Sequence, residues 1–161
     1  MDFRITTNAF QPGGNIPVNF TRDGSNKSPV IRWENVPADT QSFALIVEDP
    51  DAPGATFCHW VVYDIPANAD HLDPELPHES VLDDGIKQGL NDRGEIGYTG
   101  PNPPGGKKHQ YIFRLFALAK PLGLAEGLNK DEVLKRMDQA GIIARAEISG
   151  FYKSLKKAKA A

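Results

Sequence analysis

Two short stretches of this chain concentrate side chains that can hold a proton or a charge. The first is Asp49-Pro50-Asp51-Ala52-Pro53-Gly54, followed by His59. Each proline fixes its own φ and drives the preceding residue out of the helical region, so both carboxylates stand on a stiff turn. If the strands flanking this turn pair, His59 comes close to Asp49. A carboxylate there raises the imidazole pKa, and the imidazolium lowers that of the carboxylate. The same residues are equally consistent with a solvated Asp-Pro turn beside a structural histidine. The second stretch runs Gly97-Tyr98-Thr99-Gly100-Pro101-Asn102-Pro103-Pro104-Gly105-Gly106, then His109 and Tyr111. Its glycines permit a close backbone approach to a ligand, and its prolines reduce the ordering entropy lost on binding. Turn N–H groups beside His and Tyr can receive an anion. A surface loop next to satisfied side chains is the alternative.

Other chemistries fail on detail. The run from Pro101 to His109 has proline where a nucleotide phosphate loop needs its first glycine, and Lys108 where it needs Ser or Thr. No G-x-S-x-G elbow occurs. Cys58 and His59 are neighbours on an expected strand and point oppositely, so they form no simple dyad. Asp49, Asp51, His59 and His109 are the ligand types of a two-histidine, carboxylate metal site, but no tight histidine spacing supports one. Neither a metal nor another cofactor is expected. A hydrolase using Asp49 and His59 as base and orienter, or a bound metal, remains the enzymatic alternative to a binding site. It lacks an identifiable nucleophile.

The elements that must carry these residues are short. Ser42–Glu48 is apolar on both faces, as a central strand of a covered sheet requires. His59–Ile65 and Tyr111–Leu118 are rich in aromatic and β-branched residues. Strand alternation puts His59, Val61 and Tyr63 on one face, with Trp60 and Val62 on the other; His109, Tyr111 and Phe113 likewise share a face. Phe3–Thr6 and Val30–Trp33 are weaker strand candidates, and residues 142–152 alternate with period two. Asn129 with Glu132 reads as a capping box for one helix, which carries Val133 and Met137 on one side and ends at Gly141. The connections 8–29 and 66–107 are rich in turn residues, and the longer must be functional or hold short strands. This pattern predicts a mainly β fold, an antiparallel sandwich with one or two short helices near the C-terminus, over 1–161 as one domain.

The 161 residues carry a net charge of −3 and a pI near 5.8, so no global basic field draws the chain to nucleic acid. Lys153, Lys156, Lys157 and Lys159 make a basic tail over about 153–161, read as solvated. One cysteine permits no internal disulfide, which suits a reducing compartment. The N-terminus lacks the pattern of a secretory signal. No aliphatic or aromatic run is longer than Phe43–Val47, which is far short of the roughly 20 residues of a membrane helix. A soluble, cytoplasmic protein without stable membrane insertion is expected.

Taken together, DPDAP, HWVVYDIP and GYTGPNPPGGKKHQY resemble the phosphatidylethanolamine-binding protein family, in particular its bacterial, Raf kinase inhibitor-like branch. FTRDGSNKSPVIRW, QGLNDRGEIGYTGP and AEISGFY extend the resemblance over about Phe3 to Tyr152. It implies a β-sandwich with a small anion-binding cavity at one end, lined by Asp49, His59, His109 and Tyr111. Asp51 falls on the second carboxylate of the motif, and Gly100 with Pro101 on the cavity wall. The implied ligands are phosphate, phosphoethanolamine head groups and other small anions. The implied role is non-catalytic, as a regulator or inhibitor of a kinase or protease partner, and a homodimer is an expectation as well. Two departures stand out: the 54–58 loop is short, and Gln110 stands where the family usually has Arg. The second leaves one positive charge missing unless Lys107 and Lys108 replace it.

Overall fold

A computed structural model of the chain describes residues 2–155. The strands are β1 (Arg4–Thr6), β2 (Ile31–Glu34), β3 (Ser42–Asp49), β4 (Phe57–Pro66), β5 (His71–Leu72), β6 (Lys87–Gln88), β7 (Lys108–Leu118) and β8 (Ile142–Lys153). Among the described residues one α-helix, α1, spans Lys130–Ala140, and a 3₁₀ turn that the sequence did not announce spans Val18–Phe20. A three-stranded sheet runs β1-β2-β5 and a five-stranded sheet runs β6-β4-β3-β7-β8, with every pairing antiparallel.

The lack of alternation in Ser42–Glu48 has its cause in this layering. β3 is the middle strand of the larger sheet and is covered on both faces. Phe43, Leu45 and Val47 join Ile5, Trp33, Trp60, Phe113 and Leu115 between the sheets. Ala44 and Ile46 join Val61, Tyr63, Leu118, Val133 and Met137 beneath α1. The capping box forms as expected: Asn129 Oδ1 accepts from Glu132 N at 2.9 Å, and Glu132 Oε1 accepts from Asn129 N at 3.2 Å. Gly141 closes the helix with φ 93°, and the chain returns as β8, the period-two segment. The long connection after β4 holds the two short strands β5 and β6. Of the basic tail, Lys153 ends β8, while Lys156, Lys157 and Lys159 lie outside the described residues. Among the described residues no helix is long and apolar enough to cross a membrane.

One expectation about β4 is overturned. Val47 pairs with Trp60 but Glu48 pairs with Cys58, which leaves His59 as the extra residue of a β-bulge. A bulge inserts one residue and re-aims its side chain. His59 therefore leaves the face of Val61 and Tyr63, which Cys58 takes instead. The imidazole packs edge-on against Tyr111, their centroids 5.2 Å apart, on the inter-sheet side with Trp60 and Val62.

Candidate functional site

At the end of the sandwich where β3 stops and β7 begins lies a cavity of about 160 Å³. That is well under the roughly 300–1,000 Å³ of sites that take drug-sized ligands. Asp49, His59, Gly100, His109 and Tyr111 line it, together with Ala52, Pro53, Phe57, Arg93, Asn102, Pro103 and Pro104. Both sequence stretches thus meet in one place. Asp51 and Pro101 stand outside the lining. The Asp51 carboxylate accepts from Gln110 N at 2.8 Å, tying the Asp-Pro turn to β7. The Pro101 carbonyl accepts from Arg22 N at 2.9 Å.

The expected Asp49–His59 pair is replaced by another. Asp49 is opposite Phe57 in β4, whereas the β3–β7 register, one step past the Glu48–Ile112 pair, sets it across from Tyr111 with His109 on the diagonal. His109 Nδ1 donates to Asp49 Oδ2 at 2.7 Å, and Asp51 N donates to Asp49 Oδ1 at 2.8 Å. Both oxygens of this buried carboxylate therefore have partners within the protein. His59 Nδ1 donates instead to the Thr99 carbonyl at 2.7 Å. A carbonyl only accepts, so the Nδ1 proton of His59 is fixed.

Burial pushes the His59 pKa down, against the Thr99 hydrogen bond and the Asp49 charge, so the upward shift expected from a carboxylate neighbour does not occur. His71 is the opposite case: its hydrogen bond to Asp70, with a further one to Asp73, raises its pKa on the exposed surface. An unfolded histidine protonates near 6.5 and folded His59 only at lower pH. Its contribution to stability is thus complete above about 6.5 and is lost as pH falls from there towards the folded value. In an NMR titration towards acid, His71 protonates first and His59 after it; the reverse order overturns this account.

Tyr111 is buried, and its hydroxyl has no hydrogen-bond partner among the described residues. Burial, and then the nearby Asp49, push its pKa up, so the phenol keeps its proton. An orphaned hydroxyl costs free energy unless something satisfies it. Cys58 faces away, in the cluster beneath α1, and burial lifts its thiol to about 12, which leaves it inert as a nucleophile.

The site also holds a residue that sequence reasoning passed over. Lys107 and Lys108 do not line the cavity; Lys108 Nζ sits 4.8 Å from the centre of the Phe151 ring instead. The positive charge comes from Arg93, in the turn between Asn91 and Glu95. Asp92 carries that turn to the head of β4, where Asp92 N donates to the Cys58 carbonyl and Cys58 N to Asp92 Oδ2. Nothing local in LNDRGEIG signals this, because the contact depends on where β4 begins.

Among the described residues no group of three His, Cys, Asp or Glu side chains is arranged to hold a metal ion. The lining contains no serine, threonine, cysteine or lysine among the described residues.

A family model described as phosphatidylethanolamine-binding protein matches residues 6–153, nearly the whole chain. The chain belongs to the phosphatidylethanolamine-binding protein family. A UPF0098 protein of Aquifex aeolicus is 46% identical over 151 residues, covering 92% of this chain and 87% of that one. A UPF0098 protein of Methanothermobacter thermautotrophicus is 42% identical over 149 residues, covering 92% and 97%. Among solved structures, the putative family homologue CT736 of Chlamydia trachomatis superposes with a TM-score of 0.83 at 37% identity, covering 94% of this chain and 97% of that one. YbcL of E. coli, described as a new member of the mammalian family, gives 0.83 at 33%, covering 96% and 99%.

Proposed function

We propose that this phosphatidylethanolamine-binding protein family member is a non-catalytic binding protein whose cavity takes a small phosphate-bearing anion. The observation that carries the reading is the buried, unpartnered Tyr111 hydroxyl in a cavity wall that also presents two imidazoles. The phenol donates to a ligand oxygen. His59 and His109, each committed at Nδ1, meet the ligand through Nε2. Neutral Nε2 accepts from the hydroxyl of a protonated phosphate, and protonated Nε2 donates to an ionised oxygen. Asp49 is a positioning residue for His109, and the Thr99 carbonyl plays that part for His59. The hydrolase reading loses the Asp49–His59 pair on which it was built.

Titration with inorganic phosphate and with phosphoethanolamine tests the proposal. The expected result is a saturable shift of the His59 and His109 ring resonances and of the ligand ³¹P line, with His71 and His78 unmoved. Unresponsive His59 and His109 rings overturn it.

A further inference from the structure

Arg93 is the only arginine or lysine among the described residues lining the cavity. Its position is set by backbone and not by chance of a long side chain. Asn91 Oδ1 accepts from Arg93 N at 2.9 Å and from Glu95 N at 3.2 Å, while Asn91 Nδ2 donates to the Gly97 carbonyl at 2.9 Å. Gly94, with φ 77°, turns the chain. With Asp92 bonded to Cys58 as described, the Arg93 backbone is held beside the bulge that aims His59. The guanidinium itself is lightly engaged. Its Nε lies 3.5 Å from Glu95 Oε1, with both side chains partly in solvent, an arrangement that contributes little. Its other donors have no hydrogen-bond or ion-pair partner among the described residues, so the planar fork remains available to a ligand.

The cavity is small, about 160 Å³, and Ala52, Pro53, Pro103 and Pro104 are among the residues that line it. A phosphomonoester brings three terminal oxygens and a charge of about −1.5 to −2 near neutral pH, with one ester arm to lead out. A phosphodiester brings two terminal oxygens, a single charge and two arms. The Tyr111 hydroxyl, the two imidazole Nε2 positions and the Arg93 fork together ask for three free oxygens. A second charge on the ligand also answers the fixed charge of Arg93. We infer that the cavity selects free phosphate and terminal phosphomonoesters over phosphodiesters, and that Arg93 sets this preference. The inference rests on the reading of the cavity as an anion site and names the ligand class within it.

Calorimetric titrations of the parent protein and of Arg93→Gln decide it, using inorganic phosphate, phosphoethanolamine and glycerophosphoethanolamine at neutral pH and fixed salt. The parent protein is expected to bind phosphoethanolamine at least about tenfold more tightly than the diester, the scale of one charge-assisted hydrogen bond. Arg93→Gln brings the two within about threefold by weakening the monoester alone, and Arg93→Lys falls between. Equal affinities in the parent protein, or a ratio unchanged in Arg93→Gln, overturn the inference while leaving an anion site intact. No parent response to any of the three compounds overturns the anion site itself, and the inference with it. A thermal melt of each variant checks that the fold is retained, as expected for a side chain whose one ion-pair partner among the described residues is Glu95.

Discussion

Tyr111→Phe lowers the affinity for phosphoethanolamine by roughly ten- to a hundredfold and leaves the ligand-free protein at least as stable as the parent. The two halves of this result have one cause. The Tyr111 hydroxyl makes no hydrogen bond among the described residues, so its removal breaks none there. Deleting a buried, unsatisfied polar group relieves a cost of about 1–3 kcal/mol, which sets an upper bound on the gain. The ring remains, with its edge contact to His59 at 5.2 Å and its stacking on His109 at 6.5 Å. In the complex the hydroxyl donates to an anionic oxygen, and such bonds contribute about 1.5–3 kcal/mol. Calorimetry and a thermal melt in one buffer read both halves. An unchanged affinity removes Tyr111 from the ligand's partners; a melting point several degrees lower means that the hydroxyl has a structural duty.

What the sequence shows of this site follows from where the information is stored. β3, β4 and β7 declare themselves through apolar and β-branched composition, and their ends carry Asp49, His59, His109 and Tyr111. Gathering these four into one cavity therefore needs only strand composition and the family resemblance. The partnerships among them need register. Asp49 is ten residues from His59 and sixty from His109, so proximity along the chain favours the wrong imidazole. The adjacency of β3 and β7 decides otherwise. The bulge at His59 is equally silent, since a period-two pattern assumes regular pairing and a one-residue slip reverses every face beyond it. Arg93 was legible only as part of a longer resembling segment, because a turn is brought to the cavity by contacts at Asp92 and Cys58 that no local signal encodes. β5 and β6, two residues each, are too short to leave a periodicity.

Gly100→Ala destabilises the protein by about 3 kcal/mol, roughly 6–12 °C in melting temperature for a chain of this size, and weakens ligand binding with it. The sequence suggests that glycine here admits a ligand. The packing gives a different reason. A Cβ on Gly100 would stand 2.2 Å from the Phe20 carbonyl oxygen and 2.9 Å from Thr21 Cα, both backbone, and 2.8 Å from Asn26 Oδ1. None of these can swing aside cheaply. The Phe20 carbonyl accepts from the Tyr98 hydroxyl at 2.6 Å, Arg22 N donates to the Pro101 carbonyl at 2.9 Å, and Asn26 Oδ1 accepts from Gly100 N at 2.6 Å. The 20–26 segment is thus pinned to the cavity wall on either side of the glycine, and a methyl group must push the two apart. The wall then moves at Thr99, whose carbonyl fixes the Nδ1 proton of His59, so the imidazole loses its aim at the ligand. Asn26→Ala separates the two effects. It removes the hydrogen bond to Gly100 N without adding a methyl group, and it costs about 1–3 kcal/mol. A melting point for Gly100→Ala equal to that of the parent refutes the close packing. A destabilised Gly100→Ala that binds phosphate at parental affinity places the glycine outside the chain of contacts that holds His59.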